Sequence, residues 1–473
     1  MGDDYDYDLL VLGGGMAGLP VAMKCGYSGM DVALVEEDLL GGTCLNRGCI
    51  PTKTMLRSAE IANLARRSEE FGIDIDGAIE ADMDAIVDRK DDIVESIREG
   101  AYENVEGNEN IDFIEGHGVF ESPHEVRVDD RTLSAETIVI NTGARPARPP
   151  IDGLDDVDER SSSAHQTQSD DVDVQDSTDL LERNSVPDSL AVIGGGYVGC
   201  EYAQMYRRFG ADVTVFQRGD RLLPEEDPDV SEVIENAFED EGITVQTDAP
   251  VTALSETDDG IRVDADGAGA ITVSDVALAA GRTPNTDGLR LEDVGVSLDD
   301  RGFVETDDSF RTTADGVYAI GDVSGPPMFT HSARDDADLL YRHLAKDEEI
   351  STEGRTVPWA VFTDPQVGHV GLTEQEARDE GYEVGIGRQD FAEQGKPKAL
   401  GETEGFVKLV TDADTDELLG AHVVGEQGAE IVHELVLAIE LGATAEQIAE
   451  TIHIHPTLPE SINSAAGGVH KLS

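Results

Sequence analysis

The sequence predicts an α/β protein in which two similar dinucleotide-binding units precede a C-terminal α+β domain. Glycines in the spacing GxGxxG follow a strand-like segment twice, in GGGMAG at 13–18 and in GGGYVG at 194–199. From about residue 351 onwards such motifs stop and strand-like segments dominate. The 473 residues are enough for about three domains at ~150 residues each.

The first unit begins with a short apolar segment, DLLVL at 8–12, which predicts a buried parallel strand. A helical pattern then runs to about Cys25, and a second strand, DVALVE, ends at Glu36. The glycines between the strand and the helix are Gly13, Gly15 and Gly18. Such glycines let the backbone approach a pyrophosphate at the helix N-terminus, and an acid such as Glu36 binds ribose hydroxyls. The order strand, glycines, helix, strand, acid therefore predicts a Rossmann-like dinucleotide site.

The second unit repeats this pattern after a strand at Leu190–Ile193. Its glycines are Gly194, Gly196 and Gly199. Its second strand, DVTVFQR, ends in Gln217 and Arg218, and Arg221 follows shortly. Replacing the acid and adding guanidinium groups suits a ribose 2′-phosphate, so we predict NADPH rather than NADH. The alternative is that Arg218 and Arg221 merely offset neighbouring acids.

Two cysteines five positions apart distinguish the segment GGTCLNRGCIPTK at 41–53. One distorted turn brings Cys44 and Cys49 within the roughly 4.4–6.8 Å Cα separation of a disulfide, and Pro51 suits the first turn of a helix. A bridge that closes so short a loop gains little chain entropy, which favours a redox function over a structural one. The alternatives are two small buried apolar residues or half of a metal site.

GGTCLNRGCIPTK resembles the redox-disulfide motif of the class I flavoprotein disulfide reductases, and the resemblance extends over the whole chain. That family includes dihydrolipoamide dehydrogenase, glutathione reductase and mercuric reductase. The resemblance implies an oxidoreductase that binds FAD and a nicotinamide cofactor and acts as a homodimer.

The resemblance also implies which residues bind the cofactors. Thr142-Gly143 is similar to the turn that closes the family's FAD domain, and Gly321-Asp322 to its second FAD motif, in which Asp322 accepts hydrogen bonds near the ribityl chain and the flavin phosphate. Tyr197 matches a tyrosine gate over the nicotinamide pocket, and a packed aromatic side chain is the alternative. AAGRTPN at 279–285 matches the turn that closes the NADPH domain. The remaining predicted cofactor residues are Gly42, Thr43, Lys53, Gly118, Gly281 and Arg282.

HIHPTLPE at 453–460 resembles the family's HPxxxE motif, which supplies an acid–base pair to the disulfide of the partner subunit. Histidine exchanges protons near neutral pH, and a carboxylate on its far nitrogen fixes the tautomer. The resemblance therefore assigns His455 and Glu460 to this pair. His453 competes for the role, but Pro456 and Glu460 have the family spacing from His455.

The implied mechanism has two halves. NADPH passes hydride to FAD, and the reduced flavin opens the Cys44–Cys49 bridge. Cys49, nearer the flavin, holds a thiolate in charge-transfer contact, whereas Cys44 attacks the substrate disulfide. His455 protonates the leaving thiol, and Lys53 and Glu201 form an ion pair beside the flavin.

The predicted domains are the first part of the FAD domain at 1–150, the NAD(P) domain at 151–285, the second part of the FAD domain at 286–350 and the dimerisation domain at 351–473. The polar stretch 152–184 is predicted to connect the first two. Helices are predicted at Pro51–Arg67, 80–105, Ala429–Leu441 and Ala445–His453.

Composition limits the possible partners. Hydrophobic residues make up 39% of the chain, enough for packed cores, and 100 acids against 34 Lys plus Arg give a net charge of -66. This charge predicts an enzyme of a salt-accumulating cytoplasm and argues against nucleic acid or an anionic membrane as a partner. The acidic N-terminus lacks a signal-peptide pattern and no apolar run reaches ~18 residues, so we expect a cytoplasmic protein. Cys25 and Cys200 are expected to be reduced and structural, Cys25 in a helix and Cys200 in a glycine-rich turn, and no metal site is predicted.

Three substrate assignments compete within the fold. Mercuric reductase is disfavoured because the chain ends in GGVHKLS, without a cysteine pair, and begins without a CxxC module. Dihydrolipoamide dehydrogenase fits CLNRGCIPTK and HPTLPE but usually has an acid where Gln217 stands. In glutathione reductases an arginine binds the glycine carboxylate of the substrate, and its position falls near Asp338 in this chain. Because γ-glutamylcysteine lacks that glycine, the predicted activity is that of a bis-γ-glutamylcystine reductase. Arg47 is a candidate for binding a substrate carboxylate. A flavin-bearing redox sensor without turnover is an alternative of another class.

Overall fold

The computed structural model describes residues 5–157 and 174–471. Contacts between Cα atoms divide the chain into two compact units. The first unit comprises the described part of Met1–Thr54, with Val87–Ala147 and Gly281–Arg355. The second comprises Met55–Ile86, the described part of Arg148–Ala280, and the described part of Thr356–Ser473. Each unit is described by itself below, with elements numbered along the chain.

The first unit is built on a seven-stranded sheet in the order β3-β2-β1-β6-β5-β4, with β17 paired to β6. Strands β1, β2, β3 and β17 run parallel to their neighbours, whereas β4, β5 and the start of β6 form an antiparallel extension. Every residue of β2 is buried, as expected of a parallel strand with both faces covered. The strands of this unit are β1 (Tyr7–Leu12), β2 (Val32–Glu36), β3 (Ile111–Glu115), β4 (Gly118–Ser122), β5 (Glu125–Val128), β6 (Arg131–Ile140), β7 (Ala144–Pro146), β16 (Arg282–Pro284) and β17 (Val317–Ala319).

Helices accompany this sheet in the first unit. Helix α1 packs on β1 and β2, and it also contacts α8. Helices α3 and α4 each continue from one unit into the other. The helices are α1 (Gly18–Tyr27), α2 (Gly42–Arg47), α3 (Cys49–Arg66), α4 (Met83–Glu106) and α8 (Thr330–Lys346), with 3₁₀ turns at Glu292–Val294 and Gly321–Ser324.

The nucleotide-binding part of the second unit has a five-stranded parallel sheet in the order β11-β10-β9-β15-β8 and a three-stranded antiparallel sheet, β12-β13-β14. The antiparallel sheet is absent from the sequence prediction. The elements are β8 (Val174–Gln175), β9 (Ser189–Ile193), β10 (Asp212–Phe216), β11 (Thr244–Gln246), β12 (Val251–Thr257), β13 (Gly260–Ala265), β14 (Gly269–Val273), β15 (Asp275–Leu278), α5 (Ser177–Leu181), α6 (Tyr197–Phe209) and α7 (Pro228–Asp240), with a 3₁₀ turn at Ser68–Phe71.

The C-terminal part of the second unit is an antiparallel sheet of six strands in the order β18-β19-β22-β21-β20-β23. Helix α11 packs on β19 and β22, and α13 packs on β20 and β21. The elements are β18 (Trp359–Val361), β19 (Gln366–Gly371), β20 (Val384–Asp390), β21 (Phe406–Asp412), β22 (Leu418–Gly425), β23 (His470–Lys471), α9 (Glu374–Asp379), α10 (Gly395–Leu400), α11 (Gly428–Glu440), α12 (Ala445–Glu450) and α13 (Glu460–Gly467), with a 3₁₀ turn at Phe391–Glu393.

Two local expectations are wrong. Cys200 lies inside helix α6 rather than in a glycine-rich turn, because the helix begins at Tyr197, directly after the glycines. The helix predicted to reach His453 ends at Glu450, because Thr451 adopts an extended backbone and its hydroxyl donates to the Gln447 carbonyl. The predicted connection at 152–184 falls partly outside the described residues.

Among the helices of the described residues, none is both long enough and apolar enough to span a membrane.

Candidate active site

The first glycine loop joins β1 to α1 in the first unit. Gly13 has a φ of +97°, and a Cβ at Gly13 would lie 2.3 Å from the Asn141 carbonyl oxygen, so only glycine fits there. Glu36, at the end of β2, accepts a hydrogen bond from the backbone N–H of Gly14 at 2.7 Å. Burial raises the pKa of this carboxyl above its ordinary value. The loop therefore has the geometry of a dinucleotide site with an acid at its edge.

A cleft in the first unit brings together most of the residues predicted to bind FAD, although Gly18 and Lys53 are not among its lining residues. A Cβ at Gly42 would lie 2.9 Å from the Cα of Gly15, so the two backbones approach closely beside the cleft. The predicted residues that line the cleft are Gly13, Gly15, Glu36, Gly42, Thr43, Cys44, Gly118, Thr142, Gly143, Gly321 and Asp322.

Two features of the cleft fit the anionic and hydroxyl groups of FAD. Asp322 is a mostly buried carboxylate, and burial raises its pKa. The guanidinium of Arg282, whose Nε lies 3.5 Å away, lowers the pKa and so opposes part of this rise. That Nε is buried and makes no hydrogen bond with a described residue, so it remains available as a donor. Together with the glycine loop, these residues fit the cofactor that the motifs predict.

The cysteine pair lies at the junction of α2 and α3. Gly48 separates the two helices, and a Cβ there would lie 3.0 Å from the Thr43 carbonyl oxygen, so glycine permits the tight turn between the cysteines. Both cysteines are reduced in this structure, Cys44 half-buried and Cys49 exposed. Cys49 Sγ lies 3.4 Å from the hydroxyl of Thr330 at the start of α8.

The two thiols interact directly. A hydrogen bond between them, followed by burial and by repulsion from Cys49, raises the pKa of the Cys44 thiol far above its ordinary value. Cys44 therefore holds its proton more tightly than an ordinary cysteine, and the predicted division of roles between the two sulfurs stays a prediction.

His455 and Glu460 form the predicted pair in the second unit. His455 Nδ1 lies 2.9 Å from Glu460 Oε1, and the imidazole is 81% exposed. The backbone N–H of Thr457 donates to Glu460 Oε2 at 2.9 Å, and this bond, with the one to His455, lowers the pKa of Glu460. The competing His453 is instead held by Glu434 at 2.8 Å. An exposed imidazole with a fixed tautomer makes His455 the better acid–base candidate.

The second glycine loop repeats the first, in the second unit. Gly194 has a φ of +117°, and a Cβ at Gly199 would lie 1.9 Å from the Gly194 carbonyl oxygen. Gln217 accepts a hydrogen bond from the backbone N–H of Gly195 at 3.4 Å, and its own amide donates to the Arg221 carbonyl oxygen at 3.2 Å. Arg218 is exposed, and its side chain makes no hydrogen bond or ion pair with another described residue.

Comparison with known proteins decides the family. A profile described as pyridine nucleotide-disulphide oxidoreductase matches residues 7–337, and a profile of the dimerisation domain of the same proteins matches residues 357–466. The chain belongs to the pyridine nucleotide-disulphide oxidoreductases. It is an FAD- and nicotinamide-type disulfide oxidoreductase by family, and it carries the family's dimerisation domain, which supports a homodimer.

Relatives of this oxidoreductase cover nearly its whole length. It is 37% identical over 471 residues to a dihydrolipoyl dehydrogenase of Thermus scotoductus, with 98% of each chain covered. A dihydrolipoyl dehydrogenase of Haloferax volcanii is 36% identical over 471 residues, which is 97% of this chain and 95% of that protein. The fold of the present chain is similar to a solved structure, the Cu(II) complex of the HOCl-induced flavoprotein disulfide reductase RclA from Escherichia coli, with a TM-score of 0.86 and 30% identity. The match covers 98% of this chain and 99% of that chain. The predicted family, fold class and type of enzyme are confirmed.

The structure places the remaining predicted residues as follows. Glu201 of the oxidoreductase is buried in α6 and accepts a hydrogen bond from the backbone N–H of Phe362 at 3.0 Å, and the predicted ion pair of Glu201 with Lys53 stays a prediction. Arg47 is already paired with Asp38 at 2.5 Å, which leaves it a poorer candidate for a substrate carboxylate. Burial raises the pKa of the half-buried Tyr197.

Three side chains of the site were not predicted. Asn141 donates to the Gly13 carbonyl oxygen at 3.0 Å, and Asn46 donates to the carbonyl oxygens of Leu40 and Gly42, which holds the loop before the cysteines. Thr330 contacts Cys49 although 281 positions separate them. Asn46 stands inside the cysteine motif and could have been noticed there, whereas the other two contacts depend on the tertiary fold.

Proposed function

We propose that this oxidoreductase catalyses the NADPH-linked, FAD-dependent reduction of a small-molecule disulfide through Cys44 and Cys49. The observation that carries the proposal is the hydrogen-bonded thiol pair at the cleft lined by the first glycine loop. A binding protein or redox sensor without turnover would not need a thiol pair together with an exposed His455–Glu460 pair. The four side chains together supply a nucleophile, a resolving thiol and a proton donor.

The residues that would hold FAD are those of the first-unit cleft, with Glu36 at the ribose and Asp322 near the ribityl chain. When bound, FAD would supply two-electron reduction of the Cys44–Cys49 disulfide with electrons from the nicotinamide. Lys53 and Glu201 are proposed to form an ion pair beside it. The protein's own contribution is to hold the two sulfurs together.

The substrate half-reaction is proposed to proceed by thiol–disulfide exchange. Cys44 gives up its proton to the imidazole of His455 and attacks one sulfur of the substrate disulfide, which forms a mixed disulfide and expels a thiolate. His455 then gives its proton to that thiolate, and Glu460 stabilises the imidazolium between the two transfers. The Cys49 thiolate attacks Cys44 of the mixed disulfide, which re-forms the enzyme disulfide and expels the second thiolate, and this thiolate takes a proton from solvent. In the homodimer, His455 is proposed to serve the thiol pair of the other subunit.

The nicotinamide cofactor is proposed to be NADPH. Gln217 replaces the acid that would repel a 2′-phosphate, and the exposed guanidinium of Arg218 lies next to it with no ion pair to another described residue. A guanidinium binds phosphate through paired charge-assisted hydrogen bonds. Arg221 is less available, because it contacts Asp220 at 3.3 Å and the Pro224 carbonyl oxygen at 3.2 Å.

The first substrate to test is bis-γ-glutamylcystine. By resemblance, the arginine with which glutathione reductases bind the glycine carboxylate falls near Asp338, and this acid is paired with Lys24. An acid at this position disfavours glutathione, whereas a γ-glutamylcysteine disulfide lacks the glycine. The second candidate is dihydrolipoamide dehydrogenase, which the names of the relatives at 36–37% identity favour.

One experiment separates these functions. The oxidation of NADPH and of NADH is followed in molar KCl against bis-γ-glutamylcystine, lipoamide, oxidised glutathione and Hg(II), with a Cys44→Ser variant as the matched blank. We expect the highest kcat/KM for NADPH with bis-γ-glutamylcystine. Preference for NADH with lipoamide would establish the second candidate instead. Absence of turnover with every disulfide, despite reduction of the bound flavin by NADPH, would overturn the enzymatic proposal in favour of a sensor.

A further inference from the structure

A row of nitrogen-bearing side chains crosses the six-stranded sheet of the C-terminal domain. Antiparallel register pairs Trp359 with His369, His369 with His422, and His422 with Lys408. Residues directly opposite each other in an antiparallel sheet present their side chains on one face. The two imidazoles are in edge-to-face contact, with ring centroids 4.3 Å apart. The segment that precedes α7 lies against this row and places Glu226 on it.

The carboxylate of Glu226 is buried among these rings, with 2% of the residue exposed. Its Oε1 accepts a hydrogen bond from the indole N–H of Trp359 at 2.6 Å. Its Oε2 lies 2.8 Å from His369 Nδ1 and 3.3 Å from His422 Nε2. A single carboxylate oxygen therefore faces two imidazole nitrogens away from solvent.

The tautomer of His369 follows from its other nitrogen. His369 Nε2 lies 2.9 Å from the carbonyl oxygen of Gly371, which only accepts hydrogen bonds, so Nε2 carries a proton. In the neutral ring, Nδ1 then presents a lone pair to the Glu226 carboxylate. Two lone pairs at 2.8 Å require a cation between them, either a second proton or a metal ion. Donation of the distal N–H to a backbone carbonyl is the usual arrangement of a histidine that binds a metal.

His422 provides an independent indication. It is completely buried, and neither ring nitrogen makes a hydrogen bond with a described residue. The Nε2 contact with Glu226 lacks hydrogen-bond geometry, although the two atoms lie close together. Buried side-chain nitrogens are rarely left without a hydrogen-bond partner. A ligand bond from Nε2 to an ion beside Glu226 Oε2 would satisfy that nitrogen, while Nδ1 lies 3.6 Å from Asp227 Oδ2.

The charges around the cluster favour a divalent ion over a proton. The neighbouring ion pairs join four carboxylates to three cationic side chains, and Glu226 adds a fifth carboxylate, which leaves two negative charges when both histidines are neutral. One proton on His369 removes only one of these charges, whereas a divalent cation removes both. These side chains are Glu226, Asp227, Asp229, Glu374, Asp390, Lys408, Arg388 and Arg378.

We propose that Glu226, His369 and His422 bind one divalent transition-metal ion of the zinc class. Their ligand atoms lie within 4.8 Å of one another, and no other trio of His, Cys, Asp or Glu within residues 5–157 and 174–471 is grouped so closely. Two imidazoles and one carboxylate suit zinc-like ions rather than Mg²⁺ or Ca²⁺. The ion would tie the segment before α7 to strands β19 and β22, a structural role separate from disulfide reduction. No local pattern in the sequence predicts this site, because the three ligands stand in three distant segments.

The test uses the full-length enzyme in KCl, with Cys44→Ser and Cys49→Ser so that the thiols cannot bind the probe. After removal of metal with a chelator, the protein is titrated with Zn²⁺, and separately with Co²⁺, whose visible absorption reports the ligands. We expect about one ion per chain, a tetrahedral Co²⁺ spectrum without sulfur bands, and a higher Tm in the presence of Zn²⁺. A protein that takes up neither ion would show that a proton alone bridges the cluster and would overturn the proposal.

Variants locate the ion. His369→Gln and His422→Gln are expected to weaken Zn²⁺ binding at least about 100-fold, and Trp359→Phe, which removes only the N–H to Glu226, about 10–100-fold. His343→Gln, in α8, is the matched control, because its imidazole contacts Arg311 and Tyr318 rather than a carboxylate. Equal binding by the ligand variants and the control would place the ion elsewhere. If the ligand variants do not fold, X-ray absorption of the Zn²⁺-loaded parent decides, since a first shell without two imidazoles would overturn the site.

Discussion

Glu36 and Gln217 occupy equivalent positions in the two dinucleotide units, and each accepts a hydrogen bond from the second glycine of its loop. Glu36 Oε2 lies 2.7 Å from the Gly14 nitrogen, and Gln217 Oε1 lies 3.4 Å from the Gly195 nitrogen. The repeat therefore keeps the hydrogen bond but removes the charge. An anionic carboxylate at this position would repel a ribose 2′-phosphate, whereas a neutral amide does not.

The cofactor prediction concerns Arg218, whose exposed guanidinium follows Gln217. We expect Arg218→Glu to lower kcat/KM for NADPH about 10–150-fold while changing that for NADH little, since a charge-assisted contact to phosphate contributes about 1.5–3 kcal/mol. Steady-state kinetics with both cofactors measure the ratio. Arg262→Glu in β13 is the control, because it makes the same charge change at a guanidinium paired with Asp264. An unchanged NADPH/NADH ratio in Arg218→Glu would refute the cofactor assignment.

The visible absorption of the bound flavin can distinguish the roles of the two cysteines. Cys44→Ser is expected to abolish disulfide reduction but to leave a Cys49 thiolate that gives the bound flavin a charge-transfer band, because the substitution removes the neighbouring thiol and the hydroxyl of Thr330 lies 3.4 Å from Cys49 Sγ. Cys49→Ser is expected to remove the band. Thr330→Val removes the hydroxyl near Cys49 that would stabilise the thiolate, so the charge-transfer band of Cys49 should appear at higher pH. Visible titration of the three variants gives the answer, and a band in Cys49→Ser that is missing from Cys44→Ser would reverse the assignment.

The His455–Glu460 pair is expected to act as one unit. His455→Gln should lower kcat/KM for the disulfide about 10²–10⁴-fold, the usual contribution of general acid–base catalysis. Glu460→Gln should lower it less, and the double variant should be no worse than His455→Gln alone, because Glu460 acts through the imidazole. Additive losses would show that the two side chains work independently.

The same pair has a pH dependence with a definite sign. Hydrogen bonds from Thr457 and His455 lower the pKa of Glu460 below its ordinary value of 4.5. Glu460 is therefore ionised above about pH 4.5, and its support for His455 is lost only as the pH falls through the lowered pKa. The wild type should accordingly keep a higher kcat/KM than Glu460→Gln from pH 8 to about 5. A ratio of the two values that collapses near pH 6 would contradict this.

Glu402 is expected to destabilise the fold at high pH. Burial raises its pKa from 4.5 to about 7 despite Arg67 at 3.0 Å, and the side chain is 21% exposed. Because the folded pKa lies above the unfolded one, the contribution to stability is present below about pH 4.5 and is lost as the pH rises through 7. Glu402→Gln should therefore raise the free energy of unfolding at pH 8, by on the order of 1–3 kcal/mol relative to its effect at pH 4.5.

Denaturant titrations at the two pH values measure this difference. Glu380→Gln, at an exposed position after α9, is the control for the loss of one negative charge. The same pH dependence in both variants would mean that net charge, and not the burial of Glu402, is responsible.

The last prediction concerns salt. The folded protein concentrates 100 acids against 34 bases, and the Debye length grows from about 3 Å at 1 M to about 30 Å at 0.01 M. A dimer joins two bodies of like charge, so it should dissociate before the subunits unfold. As KCl is removed, activity should fall together with the sedimentation coefficient and ahead of the circular dichroism signal. Full activity of a stable dimer at 0.01 M would show that the acidic surface does not create a salt requirement.

The sequence by itself determined the features that are written in contiguous residues. A glycine loop, a CxxxxC turn and an HPxxxE turn each work through backbone conformation and side chains a few positions apart. The spacing of the first two therefore indicated a dinucleotide site and a cysteine pair, and the resemblance to the family's HPxxxE motif pointed to the contact of His455 with Glu460. The parallel strands β1, β2, β9 and β10 were predicted for the same reason, because continuous apolar runs identify strands that are buried on both faces.

Tertiary structure alone decided the contacts between distant segments. Thr330 meets Cys49, and Asn141 meets Gly13, only because strand order and helix packing bring separate segments to one edge of a sheet. The clearest case is the buried cluster of Glu226, His369 and His422, in which two histidines become neighbours through the antiparallel register of β19 and β22. Register depends on the packing of whole strands, so no local pattern around either histidine reveals which carboxylate it will face.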